Sequence, residues 1–303
     1  MYTAYWQFRE KPFENTPDPR FIYYSQQHKE ALARLIYIVR EHKGAALLTG
    51  EYGSGKTLLS RVLWQELQQE HLYQPVFILN PRLSGLELVQ EIVHQLNGTE
   101  PLPNKIELFH SLHKILYANH NAGKHSVIMI DEAQAIQDKD IFEELRLLLN
   151  FQLDNAFLLT IILLGQPELS PVVANLPQLS QRMAVRYHLR ALNEQETREY
   201  IEHRLEVAQA KRPIFDEEAY REIYFYSTGL PRRINNICDL ALLVGFGNGL
   251  KKIDRKTIIN ISEDLESSSA NEFLKPPHSD RRQEIIEDSG NHGPDKQNPP
   301  EGH

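Results

Sequence analysis

The sequence predicts an α/β fold: a three-layer sandwich with a parallel sheet between helices, followed by a small all-helical lid domain. Three observations lead there. Apolar runs of strand length alternate with amphipathic runs of helix length up to position 192, the pattern of a parallel sheet covered on both faces. The first of those strand-like runs, Ala45-Ala46-Leu47-Leu48-Thr49, opens into a glycine-rich turn and then an amphipathic segment starting at Lys56. From Asn193 onward only helical periodicity remains.

Composition narrows the class. The 303 residues, 41% of them hydrophobic, suffice for one substantial core and a smaller one, roughly two domains. A formal net charge of −8 argues against a large non-specific nucleic-acid surface, while leaving room for a local basic patch. The single cysteine, Cys238, has no intramolecular disulfide partner and reads as a buried structural thiol. The N-terminus lacks the basic-then-apolar layout of a signal peptide. The longest apolar run, Ala156 to Gly165, is about half of what a membrane-spanning helix requires, so no membrane span and a cytoplasmic location are expected.

In chain order, residues 1–25 carry aromatics and closely spaced prolines, which predicts a rigid extended arm over the next domain. This arm reads either as a packed strap or as a strap that also flanks an adenine and ribose. Residues 26–192 form the expected α/β domain. Gln26 to His42 is an amphipathic helix with Ser25 as N-cap, and Gly44 ends it. Pro75 to Leu79 is a short buried strand, Leu86 to Leu96 a helix capped by Ser84 and stopped by Gly98, and Ile106 to Ala118 another helix. Ser126 to Ile130 and Phe157 to Leu164 are continuous apolar strands; Ile136 to Leu149 lies between them as a helix. Near Leu179 a helix end presents Arg182, and a short strand follows to Leu189. Residues 193–266 give helices at Glu194 to Gln209, Asp216 to Tyr226, Pro231 to Phe246 and Asp254 to Leu265, with Asp216 and Asp254 as N-caps and Pro231 in a first turn. Residues 267–303 shift to Ser, Pro, Asp, Glu, Gly and His and read as a disordered tail, with Arg281-Arg282 and Ile285-Ile286 as a solvated spacer or a short partner-binding helix.

Chemistry concentrates at two places. Gly50-Glu51-Tyr52-Gly53-Ser54-Gly55-Lys56-Thr57, followed by Leu58, sits between a strand and a helix, as a phosphate-binding P-loop requires. Its glycines let backbone N–H groups converge on phosphate oxygens, Lys56 reaches toward the β- and γ-phosphates, and the hydroxyl of Thr57 suits Mg²⁺. The helix that begins here adds the favourable end of its dipole. A nucleoside triphosphate with Mg²⁺ is therefore the expected ligand. The second place is Asp131-Glu132, at the tip of an apolar strand about 75 residues downstream, a spacing that favours a metal-and-base pair over a charged helix start. Asp131 is expected to reach the metal shell from a strand neighbouring the P-loop strand, and Glu132 to face the attacking water as general base. Gln166, at the tip of the next strand, is a candidate to sit between these anchors and meet the γ-phosphate or the water; it reads equally as a turn residue before Pro167. His110 and His113 share a helix spacing but lack a third converging ligand, so they read as polar surface.

With those motifs in place the chain resembles an AAA+ ATPase of the ExeA-like, general secretion pathway A branch over residues 1–265. The resemblance lies in Arg9-Glu10-Lys11-Pro12-Phe13, Thr16-Pro17-Asp18-Pro19-Arg20-Phe21, His28-Lys29-Glu30-Ala31-Leu32, the P-loop, Asn80-Pro81, Ile130-Asp131-Glu132-Ala133-Gln134, Gly165-Gln166-Pro167-Glu168-Leu169 and Gly229-Leu230-Pro231-Arg232-Arg233-Ile234-Asn235. It implies that ATP is the nucleotide, that Arg232 senses the γ-phosphate and closes a lid, and that Arg182 is an arginine finger for a neighbouring subunit, with Arg186 the second choice. The alternative for each arginine is an ordinary salt bridge. An arginine supplied in trans contributes about 10³-fold or more in rate, so a homo-oligomer is implied. Longer members are similar only over the ATPase part and continue into a membrane helix and a peptidoglycan-binding domain. The polar tail here leads instead to the expectation of a stand-alone ATPase acting through a protein partner in secretion or envelope assembly. A duplex-DNA regulator resembling transposition ATPases is the alternative function; a small-molecule kinase suits the helical region less well.

Overall fold

The computed structural model describes residues 1–98, 102–154 and 156–270. The chain opens with a short helix, α1 (Tyr2–Trp6), and a 3₁₀ turn at Pro19–Phe21, before α2 (Gln26–Arg40) leads into β1 (Ala45–Gly50). There follow α3 (Lys56–Gln69), β2 (Tyr73–Ile78), α4 (Gly85–Asn97), α5 (Lys105–Asn121) and β3 (His125–Ile130). A 3₁₀ turn at Ala133–Ala135 precedes α6 (Lys139–Leu148), β4 (Leu159–Gly165), the short helices α7 (Leu169–Ala174) and α8 (Pro177–Ser180), and β5 (Met183–Leu189). Helices α9 (Glu194–Val207), α10 (Glu217–Ser227), α11 (Pro231–Gly247) and α12 (Arg255–Ala270) complete the described chain.

Local chemistry accounts for the boundaries. The Ser25 hydroxyl accepts from the backbone N–H of His28 at the start of α2. Ser84 and Glu87 form a reciprocal capping box at α4, which Gly98 ends in a left-handed conformation. Asp216 caps α10, Asp254 accepts from the Thr257 N–H at the start of α12, and Pro231 occupies the first turn of α11.

All five strands are parallel, in the order β2-β3-β4-β1-β5. Strands β1, β3 and β4 are buried along their whole length, which is why they read as continuous apolar runs. One face packs Ala46, Leu48, Met129 and Ile162 against Leu35 and Ile38 of α2 and Leu59 and Leu63 of α3. The other packs Leu47, Ile128, Ile130 and Leu163 against Ile92 of α4, Leu112 of α5 and Leu145 of α6. Each such aliphatic side chain removed from water stabilises the fold by about 1.5–3 kcal/mol. The result is the expected three-layer sandwich with a helical region after it.

Three expectations are corrected. The strand that carries Asp131 does not neighbour the P-loop strand: β4 pairs with both and lies between them. Strand order is set by long crossovers, which local patterning does not encode. The N-terminal arm is not extended throughout, because Tyr2–Trp6 lies ahead of the first proline and forms a helical turn. Finally, α12 runs to Ala270, past the expected end at Leu265 and into the segment expected to be disordered. Residues 271–303, including Arg281-Arg282 and Ile285-Ile286, lie outside the described residues. The chain from Met1 to Ile258 packs as one compact unit, and a second begins at Ile259, of which the described part is the remainder of α12.

The arm lies on the helical region rather than on the sandwich alone. Trp6 is fully buried and donates its indole N–H to the Leu242 carbonyl of α11 at 2.9 Å; Tyr2 hydrogen-bonds Asp239, and Tyr5 the Leu250 carbonyl. The buried guanidinium of Arg204 on α9 donates to the Pro12 carbonyl at 2.5 Å and the Glu14 carbonyl at 2.9 Å, and stacks over Phe21 at 4.9 Å. Cys238 is buried in α11, and burial pushes its thiol pKa up, the state of an inert packing residue. No helix among the described residues is long and apolar enough to cross a membrane.

Candidate functional site

The C-terminal tip of β1 gives way to a turn that only small residues can build. Gly53 (φ +81°) and Gly55 (φ +102°) are in left-handed backbone. A Cβ on Gly53 would lie 2.6 Å from the Arg232 Cβ, and one on Gly55 would lie 3.0 Å from His28 Nε2. Gly50 is packed against the Leu189 carbonyl. The turn hands over to α3, whose first N–H groups, at Lys56, Thr57 and Leu58, have no acceptor within the helix and face the loop.

Lys56 is buried and donates to the Gly50 and Glu51 carbonyls at 2.8 and 3.0 Å, so its ammonium is held against the loop backbone. Burial lowers its pKa, opposed by the nearby carboxylates of Glu132, Asp131, Glu51 and Glu168. Thr57 donates its hydroxyl to Asp131 Oδ2 at 2.8 Å, across the intervening β4. Asp131 is buried and its pKa raised by desolvation, which the Thr57 hydrogen bond opposes. Its other oxygen accepts from the Glu132 N–H at 2.9 Å. Glu132 itself sits in left-handed backbone (φ +51°), rare for a side chain of this size.

The remaining sequence-derived residues separate into two groups. Arg232, at the start of α11, joins the site: its N–H donates to the Gly53 carbonyl at 3.3 Å and its guanidinium lies 4.7 Å from the centre of the Tyr52 ring. Gln166 follows β4, the strand between the two anchors, and its backbone N–H donates to Gln134 Oε1 at 2.9 Å. Arg182 and Arg186 stand apart. Arg182 precedes β5 at the end of the sheet opposite the P-loop, donating to Gln152 and Asn150 and lying 5.6 Å from the centre of the Phe157 ring. Arg186 donates to the Ser180 carbonyl and hydroxyl.

Two residues escaped the functional reading of the sequence. His28 on α2 is buried under the P-loop, with Nδ1 2.7 Å from the Ser25 hydroxyl and Nε2 3.3 Å from the Ser54 carbonyl; burial lowers its pKa. Gln134 contacts both Glu132 and Gln166. Both stand inside stretches that the sequence singles out, His28 to Leu32 and Ile130 to Gln134, but without a role; the contacts of His28 with Ser54 and of Gln134 with Gln166 join distant parts of the chain, and only folding reveals them.

The pieces fit a triphosphate and a divalent cation. The loop offers converging N–H groups and a cradle that a Cβ would fill, and Ser54 Oγ is buried with no hydrogen-bond partner among the described residues. The Thr57 hydroxyl and Asp131 carboxylate supply the hard oxygen donors that Mg²⁺ takes.

This P-loop, the carboxylate that meets it from across β4, and the helical region after a parallel five-stranded sheet define a protein of the AAA+ class. An AAA domain family model matches residues 39–173. Within the class the chain is of the general secretion pathway protein A type: it is 42% identical over 257 residues to general secretion pathway protein A of Aeromonas hydrophila. The match takes in 84% of this chain and 46% of that protein, so the chain spans about half the length of its relative. Among solved structures, the ORC1 protein of Aeropyrum pernix in complex with DNA is similar with a TM-score of 0.64 at 18% identity, covering 93% of this chain and 78% of that one. Drosophila ORC bound to DNA gives 0.63 at 16% (86% and 68%), and the Thermotoga maritima RuvB Holliday junction branch migration motor 0.54 at 18% (80% and 70%). At these identities the likeness is one of fold.

Proposed function

We propose that the chain binds Mg-ATP on the P-loop and hydrolyses it, and that the cycle drives a helical lid and, through it, a partner. The observation that carries this reading is the Thr57–Asp131 hydrogen bond, which joins the P-loop hydroxyl to a strand-end carboxylate 74 residues away. Thr57 and Asp131 would hold the Mg²⁺, which when bound neutralises charge on the β- and γ-phosphates. Lys56 turns from the loop carbonyls to the phosphates. Glu132 takes the proton of the attacking water. Gln166 and Arg232 sense the γ-phosphate, and Arg232 ties that event to the helices after Asn193 because its backbone already contacts Gly53. Arg182 serves the site of a neighbouring copy. The oligomer, a cytoplasmic location, and a secretion or envelope-assembly component as partner are parts of the same proposal.

A second reading, ATP-dependent binding of duplex DNA, has one observation in its favour. Arg9, Lys211, Arg212, Lys251 and Lys252 are exposed around α1, gathered by the Arg9 N–H to Ala208 carbonyl bond, the Phe215–Ile253 bridge and the Arg212–Trp6 contact. None of the five has an ion-pair partner among the described residues.

Steady-state ATP hydrolysis over a protein concentration series, with and without duplex DNA at low salt, tests both readings. The first predicts specific activity that rises with concentration, ignores DNA and vanishes in Glu132→Gln. Turnover that appears only with DNA favours the second. Hydrolysis by Glu132→Gln at the wild-type rate removes Glu132 as the base.

A further inference from the structure

Glu132 and Gln166 occupy the tips of strands β3 and β4, and one side chain touches both. Gln134 donates its amide Nε2–H to Glu132 Oε2 at 2.5 Å and accepts the backbone N–H of Gln166 at Oε1, 2.9 Å away. An amide is the smallest side chain that donates at one end and accepts at the other, and Gln134 uses both ends. We infer that Gln134 is the positioning residue of the site: it fixes the Glu132 carboxylate and registers it to the loop that begins at Gln166. The inference rests on the reading of Glu132 as general base.

The geometry assigns atoms. With Oε2 taken by the amide, Oε1 is the oxygen of Glu132 that faces a water and accepts its proton. Gln134 gives up no proton, because Oε2 goes on accepting the amide hydrogen after Oε1 is protonated. The backbone holds the other side of Glu132: its N–H donates to Asp131 Oδ1 at 2.9 Å, and its carbonyl accepts from the Ala135 N–H at 2.7 Å. The left-handed φ of Glu132 is thus tied on three sides. The strand tip leaves room for the amide, since a Cβ on Gly165 would lie 2.7 Å from Gln134 Oε1 and 2.6 Å from Leu169 Cδ2. Glycine at 165 is what lets the amide reach the Gln166 N–H. The link also means that a movement of the Gln166 loop is delivered to the base without passing through the nucleotide.

The test measures kcat and KM for ATP hydrolysis by the full chain, together with the affinity for a fluorescent ATP analogue and the melting temperature. Gln134→Ala removes both ends of the link. Gln134→Glu keeps the shape and the acceptor for Gln166 N–H but loses the donor to Glu132. Both variants are expected to lose about a hundredfold in kcat, the scale of a misplaced catalytic group, with KM and analogue affinity within about twofold of wild type. Gln134→Glu serves as the isosteric control should Gln134→Ala melt early. A wild-type kcat in either variant, or a loss of kcat matched by an equal loss of affinity, overturns the inference. Glu132→Gln, run alongside, separates the two claims: if it is inactive while the Gln134 variants turn over normally, only the link fails, and if it is fully active the base assignment fails first.

Discussion

Among single residues, the buried histidines carry the clearest dependence on pH. At the N-terminal end of the sheet the rings of His42 and His125 stack with centroids 4.1 Å apart and planes 2° from parallel. The Thr160 hydroxyl spends its hydrogen on the Lys43 carbonyl, so it accepts from His125, which fixes the tautomer with hydrogen on Nε2. Burial, then repulsion by His42 and His120, pushes the His125 pKa down to about 3. His42 and His28 are shifted in the same direction, chiefly by burial. A folded pKa below the unfolded one means that the unfolded chain binds more protons between the two values. Stability is therefore expected to fall as pH drops from about 6.5 toward 3, with His125 contributing up to about 1.4 kcal/mol per pH unit. Urea unfolding at pH 7 and pH 5 checks this: His125→Gln should flatten the dependence, and an unchanged slope would sink the assignment. At this same scale the site was legible where its chemistry is contiguous. Lys56, Thr57, Asp131 and Glu132 are candidates because their residue types name a chemistry within a short motif, whereas Gln134 and His28 stand in quoted stretches without one, and their contacts with Gln166 and Ser54 span 32 and 26 residues.

Among elements, the N-terminal arm shows how little of its packing its own sequence reveals. Its prolines excluded a long helix, but the five residues of α1 precede them, and the surface they cover belongs to α11, more than 200 residues later. Trp6 is fully buried there between the Leu242 carbonyl, the Gly245 backbone and the Arg212 guanidinium. Trp6→Ala is expected to cost about 3–5 kcal/mol in chemical denaturation, the range for a large core aromatic; a loss under about 1 kcal/mol would show that α1 is dispensable to the helical region. Helix starts elsewhere were legible because Ser84, Asp216 and Pro231 act within a turn of themselves. The strand order was not, because a βαβ crossover looks the same whether it skips a strand or not. Helix α7 has no counterpart in the sequence reading; Pro171 falls in its first turn, where a proline costs the helix no hydrogen bond.

For the molecule as a whole, the placement of Arg182 bears on the proposed mechanism. It stands at the start of β5 while Gly50 pairs with Leu189 at the end, so roughly 20 Å of strand separates Arg182 from its own P-loop. Under the proposed mechanism a single chain lacks this arginine, and two differently disabled copies should repair each other. Arg182→Ala and Glu132→Gln are each expected to be inactive alone and to regain activity when mixed, since the mixture pairs an intact base with an intact arginine. Mixed oligomers that form and stay inactive would count against a trans role. The two tryptophans add a practical consequence. Trp6 is sealed against the helical region, and Trp64 lies partly exposed on the helix that begins at the P-loop. Their emission therefore reports two different surroundings, the helical region and the helix that follows the P-loop, and replacing one with phenylalanine leaves an unlabelled protein whose colour and quenching follow the other alone.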